Sequence, residues 1–171
     1  AAITGDWTIS FLFKQECVMT RASGSDNYYF MFGNYLAALN LYTNNNNSAP
    51  ASNGVLGNQQ LNYAFAGEIR DPAAWYHCVM NKENGVTRGW INGVGPGFAY
   101  NGSDLTIADA NTLAIGANSL DPGQQPSNVN SMKGYMADWY FIDGQALQPT
   151  AFGRFNEAGV WVPRATADFT A

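Results

Sequence analysis

Charge is the scarcest ingredient of this sequence. Only 12% of its 171 residues are Asp, Glu, Lys or Arg, against about 25% in ordinary globular chains. Disordered chains show many charges and few aromatics. Here 46% of residues are hydrophobic and 14% aromatic, so the chain folds. The eight basic residues are scattered and outnumbered by 13 acidic ones, for a net charge of −5. That leaves no electrostatic footprint for nucleic acid. No apolar run reaches the ~18 residues that cross a bilayer, so no membrane insertion is expected. The opening residues AAITGDWTIS show neither the basic n-region nor the apolar h-region of a signal peptide. A surface built from Asn, Ser, Thr and Gln rather than charge is typical of extracellular or particle-bound proteins.

Chemistry-bearing residues are also few. There is one histidine, His77, and there are two cysteines, Cys17 and Cys78. Two cysteines fall short of the clustered ligands of a zinc site. A disulfide stays open, but the preferred reading is two thiols acting as small apolar residues, which suits a reducing cytoplasm. No G-x-S-x-G, phosphate loop or H-E-x-x-H occurs. No cofactor is expected.

What the sequence does contain is short apolar runs punctuated by Gly, Asn, Asp, Pro and Ser, the pattern of an all-β sandwich or barrel. DWTISFLFK puts Trp7, Ile9, Phe11 and Phe13 on one face. YYFMFGNYLAALNLY reads as two strands joined at Gly33-Asn34. Two long loops are expected, TNNNNSAPASNGVLGN and NSLDPGQQPSNVNS. LNYAFAGEI alternates, and DLTIAD and NTLAIGA are short strands. KGYMADWYFIDG reads as a strand buried on both sides. Only ALQPTAFGRFNEAG suggests a helical turn, near Pro149. No repeat or linker divides residues 1–171, so a single domain is expected.

The stretch WYHCVMNKENGVTRGWINGV holds the histidine and a cysteine side by side. Asn84-Gly85 is a strong hairpin signal. Pairing then runs outward from Glu83 with Val86 through Cys78 with Ile91 to His77 with Asn92. A second turn at Asn92-Gly93 sends the chain back. Faces alternate along a strand. Tyr76, Cys78, Met80 and Ile91 therefore share an apolar face, and His77, Val79, Asn81, Arg88, Trp90 and Asn92 share the other. His77 and Cys78 point apart and cannot form a thiolate–imidazole pair. Both read as structural. Trp90 on the outer face is either covered by another segment or a contact residue, and with Arg88 it is taken as a contact candidate.

This hairpin resembles the central hairpin of concanavalin A-like, laminin G-type jelly rolls. LAIGA followed by MKGYMADWYFIDGQALQPTAF is similar to the closing pattern of the same family. The resemblance covers roughly residues 5–152. It implies a two-sheet antiparallel β-sandwich with one short helical turn near residue 149. DGQALQPTAFGRFNEAGVWVPRA further resembles laminin G-like domains in virion proteins of tailed bacteriophages. Those domains carry further segments on both flanks, so the chain is read as a possible fragment of a longer one. Either extra chain or neighbouring subunits would then cover open strand edges, and a homo-oligomeric or particle-bound state is expected.

An enzyme is not expected. A glycosidase needs two carboxylates about 5 to 9.5 Å apart across a cleft, and the E-x-D-x-x-E of the glucanase branch is missing. Glu68, Asp138 and Asp143 are isolated, and Asp138 reads as a buried, hydrogen-bonded carboxylate. Calcium needs roughly six to eight oxygen ligands, and Asn118 with Asp121 offers too few. The main expectation is a structural or adhesion module of a bacteriophage virion, assembled in the host cytoplasm, with other virion proteins as partners. The alternative is a lectin-like module of a secreted protein that binds cell-surface glycan. Candidate contact residues are Tyr42, Asn44, Asn45, Asn46, Asn47, Arg88, Trp90, Asn118, Asp121 and Gln124, with Gln125 beside them.

Overall fold

The computed structural model describes residues 5–15, 28–34, 37–43, 54–58, 61–64, 71, 73–101, 114–116 and 134–164. The chain runs β1 (Trp7–Gln15), β2 (Tyr28–Asn34), β3 (Ala37–Thr43), β4 (Gly54–Asn58), β5 (Leu61–Ala64), β6 (Tyr76–Glu83), β7 (Val86–Ile91), β8 (Val94–Asn101), β9 (Ala114–Ile115) and β10 (Gly134–Asp143). A 3-10 turn at Pro149–Ala151 and a small hairpin, β11 (Gly153–Phe155) and β12 (Trp161–Pro163), follow. The first sheet has the order β10-β1-β6-β7-β8 and the second β5-β4-β3-β2-β9. All pairings are antiparallel. This is the predicted two-sheet β-sandwich, with the helical turn where Pro149 was expected to place it.

Alternation in β1 builds the inner face of the first sheet. Trp7, Ile9, Phe11 and Phe13 are all buried. Across the β1–β6 register they meet Lys82, Met80, Cys78 and Tyr76. Phe13 and Tyr76 stack with centroids 5.6 Å apart. On β10, Met136 pairs with Phe13, and its sulfur lies 3.9 Å from where a Cβ on Gly116, just after β9, would sit. Inner face therefore meets second sheet.

Part of the outer face of the first sheet is closed by residues 144–164. Thr8 and Asn81, opposite each other across β1 and β6, hold this crossing segment by its backbone. Thr8 Oγ1 donates to the Gln145 carbonyl at 2.6 Å and accepts from Leu147 N–H at 2.7 Å. Asn81 Nδ2 donates to the Leu147 carbonyl at 2.9 Å. Polar strand residues thus satisfy a segment that belongs to neither sheet, as buried backbone requires. Val79 and Trp90 on the sheet and Phe152 of the segment form a buried cluster, with Tyr140, Ile142, Leu147 and Ala151 packed around them.

Four expectations change. The Gly33-Asn34 turn is wrong: Gly33 pairs with Ala38 and Asn34 with Ala37, so the reversal falls two residues later. Gly33 is a strand residue here, and the Gly-Asn pair by itself did not place the turn. GVLGN is not loop but β4, paired with β3 and β5. β10 is not buried on both sides, because it is an edge strand; Tyr135 is 62% exposed. Asp138 is exposed rather than buried. Its φ is +46°, and it sits where the β1–β10 register shifts between Ser10 and Leu12. The extra residue is a β-bulge, and Asp tolerates the left-handed conformation better than most side chains.

Candidate functional site

His77 lies on the outer face, opposite Leu12 on β1, with 4% of its surface exposed. Its Nε2 is 2.9 Å from Ser10 Oγ. Its Nδ1 accepts the indole N–H of Trp161 at 2.9 Å. The two rings are 5.9 Å apart with planes 21° from parallel. An indole N–H can only donate, so Nδ1 carries no proton, and the neutral ring holds its hydrogen on Nε2, facing Ser10. Burial pushes the His77 pKa down to about 4, against the opposing pull of the Asp138 charge. The serine–histidine contact therefore has the wrong tautomer for a general base: Nε2 has no lone pair to take the Ser10 proton. His77 holds the closing segment to the sheet. Its backbone N–H donates to Asn92 Oδ1 at 2.8 Å, and Asn92 N–H returns a bond to its carbonyl at 2.8 Å. Cys78, on the inner face, is a buried free thiol whose pKa burial raises. The structural reading of both residues holds.

Trp161 occupies a slot between two glycines. A Cβ on Gly93 would fall within 2.2 Å of the indole, and one on Gly153 within 2.4 Å. Phe155, paired with Trp161 across β11 and β12, meets the indole edge-on with centroids 5.1 Å apart. Asn156 fixes the hairpin tip: its Oδ1 accepts from Ala158 and Val160 N–H at 3.0 and 2.9 Å. Beside this tip lies an open cleft of about 500 Å³, lined by Arg154, Phe155, Asn156, Glu157 and Ala158. Phe155 is 50% exposed. An exposed ring among groups that donate and accept hydrogen bonds suits a small ligand with both apolar and hydroxylated surfaces. No group of three or more His, Cys, Asp or Glu could hold a metal among the described residues.

The residues singled out from sequence fare differently. Trp90 is 5% exposed and packed under Phe152, so of its two readings the covered one is observed; the contact role is corrected. Arg88 lies on the same face, half-buried, with Nη1 3.3 Å from Glu83 Oε2. Tyr42 pairs with Tyr28 and Val55 through its backbone; its side chain is outside the description. Asn44, Asn45, Asn46, Asn47, Asn118, Asp121, Gln124, Gln125, Cys17 and Glu68 lie outside the described residues. Thr43 and Gly116 nevertheless leave β3 and β9 toward the same end of the second sheet, the end where β2 begins. The cleft at Arg154–Ala158 was not foreseen. Its aromatic floor depends on Trp161 reaching Gly93 and His77, and nothing local in the sequence reports that contact.

The fold is a β-sandwich domain whose closing hairpin carries an open cleft beside Phe155. No protein-family model matches the chain, and no curated protein matches it. Among solved structures it is similar to domain 4 of AbnA, a GH43 extracellular arabinanase from Geobacillus stearothermophilus, solved in complex with arabinotriose. The two are 21% identical with a TM-score of 0.59, and the match covers 88% of this chain and 65% of that one. The likeness shows the β-sandwich. It does not extend to a laminin G or phage link, and virion partners and a homo-oligomer gain no support from it.

Proposed function

We propose that this chain is a non-catalytic module that binds oligosaccharide. The observation that carries the proposal is the likeness, over 88% of the chain, to a domain solved with arabinotriose. The cleft beside Phe155 supports it chemically. Sugars present C–H faces to aromatic rings and hydroxyls to charged and amide groups, and Phe155 stands between Arg154 and Asn156. The His77 tautomer supports the non-catalytic part. The virion reading rests on features of the sequence alone, the closing phrase and the low charge among them.

The test is a glycan array followed by titration calorimetry on the best polysaccharide. Saturable binding is expected, weakened on the order of tenfold by Phe155→Ala. Silence across plant, bacterial and host glycans would overturn the reading. Turnover of a bound oligosaccharide that falls in Asp138→Asn would overturn its non-catalytic part.

A further inference from the structure

The crossing segment covers only part of the first sheet's outer face. Along β1 that face carries Thr8, Ser10, Leu12 and Lys14. The first two lie under or against the segment, and Leu12 is beside His77, where Trp161 docks. Among the described residues, the last row holds the exposed rings. Lys14 pairs with Tyr135 on β10. Continued one residue beyond the Phe13–Tyr76 pair, where β6 begins, the register sets Lys14 level with Trp75. Because Phe13 and Tyr76 stack on the inner face, alternation gives this next row to the outer face. Trp75 is 46% and Tyr135 62% exposed.

Adjacent strands are about 4.8 Å apart, so the backbones of Trp75 and Tyr135, two strands apart, are separated by about 10 Å. Single exposed aromatics are ordinary. Two in one row, with Lys14 on the strand between them, are a pattern. A row with Lys14 at its centre is unlike the core of a protein interface, from which Lys is depleted. It matches a ligand whose flat apolar faces alternate with hydroxyls. We propose that Trp75, Lys14 and Tyr135 form a second contact row for a neutral, extended oligosaccharide of at least three units. Sugar faces stack on the two rings, and the Lys14 ammonium donates to hydroxyl or ring oxygens between them. This inference rests on the glycan-binding reading and names a site for it outside the Phe155 cleft.

The experiment measures binding of the best array polysaccharide and its oligomers to the wild-type chain and to Trp75→Ala, Tyr135→Ala, Trp75→Phe and Phe155→Ala, each checked for an unchanged thermal midpoint. Trp75→Ala and Tyr135→Ala should each weaken binding on the order of tenfold, more for long oligomers than for disaccharide. Trp75→Phe, which keeps a ring, should bind nearly as wild type while losing the ligand-induced shift in tryptophan fluorescence. Wild-type binding that both alanine variants retain in full would overturn this row and leave the proposed function standing. No binding by wild type would overturn both. Self-association abolished by Trp75→Ala, with sugar binding unchanged, would overturn the row in favour of a contact between copies.

Discussion

At Asn84-Gly85 the backbone φ angles are 50° and 80°, and at Asn92-Gly93 they are 50° and 72°. The same two residues make the same kind of tight turn at opposite ends of β7. Their surroundings differ completely. A Cβ on Gly85 would meet nothing within 4 Å, whereas one on Gly93 would strike the Trp161 ring. The first turn is tied by Asn84 N–H donating to Asp6 Oδ1 at 2.9 Å. In the second, the Asn92 side chain grips the His77 backbone and its glycine forms one wall of the tryptophan slot. A local motif fixes the turn, and a distant residue decides what the turn is for.

That contrast can be broken most directly at Gly93. Gly93→Ala combines left-handed backbone strain with a clash against a seated indole, and should cost about 4 kcal/mol. Urea unfolding measures it, and a cost no larger than at Gly85 would mean that Trp161 is not seated there. Acid is the next largest lever. The folded pKa of His77, about 4, lies below its ordinary 6.5, so the unfolded chain binds this proton first. The contribution is full above pH 6.5 and is lost as pH falls toward about 4, roughly 3 kcal/mol in all. Unfolding midpoints across that window should fall in wild type and flatten in His77→Gln. Asp138→Asn, which removes the charge opposing the shift, should widen the window.

Trp161→Phe is a finer probe. It keeps a ring in the slot but removes the N–H that occupies Nδ1 of His77, at a cost of about 2 kcal/mol. The His77 proton resonances should then move at higher pH than in wild type, because Nδ1 is free to take a proton. Smallest of all is Gly85→Ala, with strain and no clash, at about 1 kcal/mol.

The same turns show how far the sequence could be read. From Asn84-Gly85 the β6–β7 register followed residue by residue, because an Asn-Gly turn fixes the count and alternation fixes the faces. Gly33-Asn34 carried a similar signal and misled, since both residues stay in β2 and pair with Ala38 and Ala37. Asp138 was read as buried because its neighbours are apolar; an acid within such a run marked a bulge instead. The His77–Trp161 bond joins residues 84 apart. Neither residue type nor spacing announces it, so the cleft that depends on it was invisible. The face shared by Arg88 and Trp90 was legible, but what lay over it was not.

The bonds from Thr8 to Gln145 and Leu147 join residues 137 and 139 positions apart. Among the described residues these are long-range pairs, and loop closure costs more as the loop lengthens. They also set a clock during synthesis. Sixty-two residues separate Trp90 from Phe152, which covers it, about 3 to 12 s of translation at ~5–20 residues per second. Over that interval the growing chain carries an uncovered stripe of Val79 and Trp90. A chaperone could bind that stripe on the nascent chain, and the finished molecule no longer offers it.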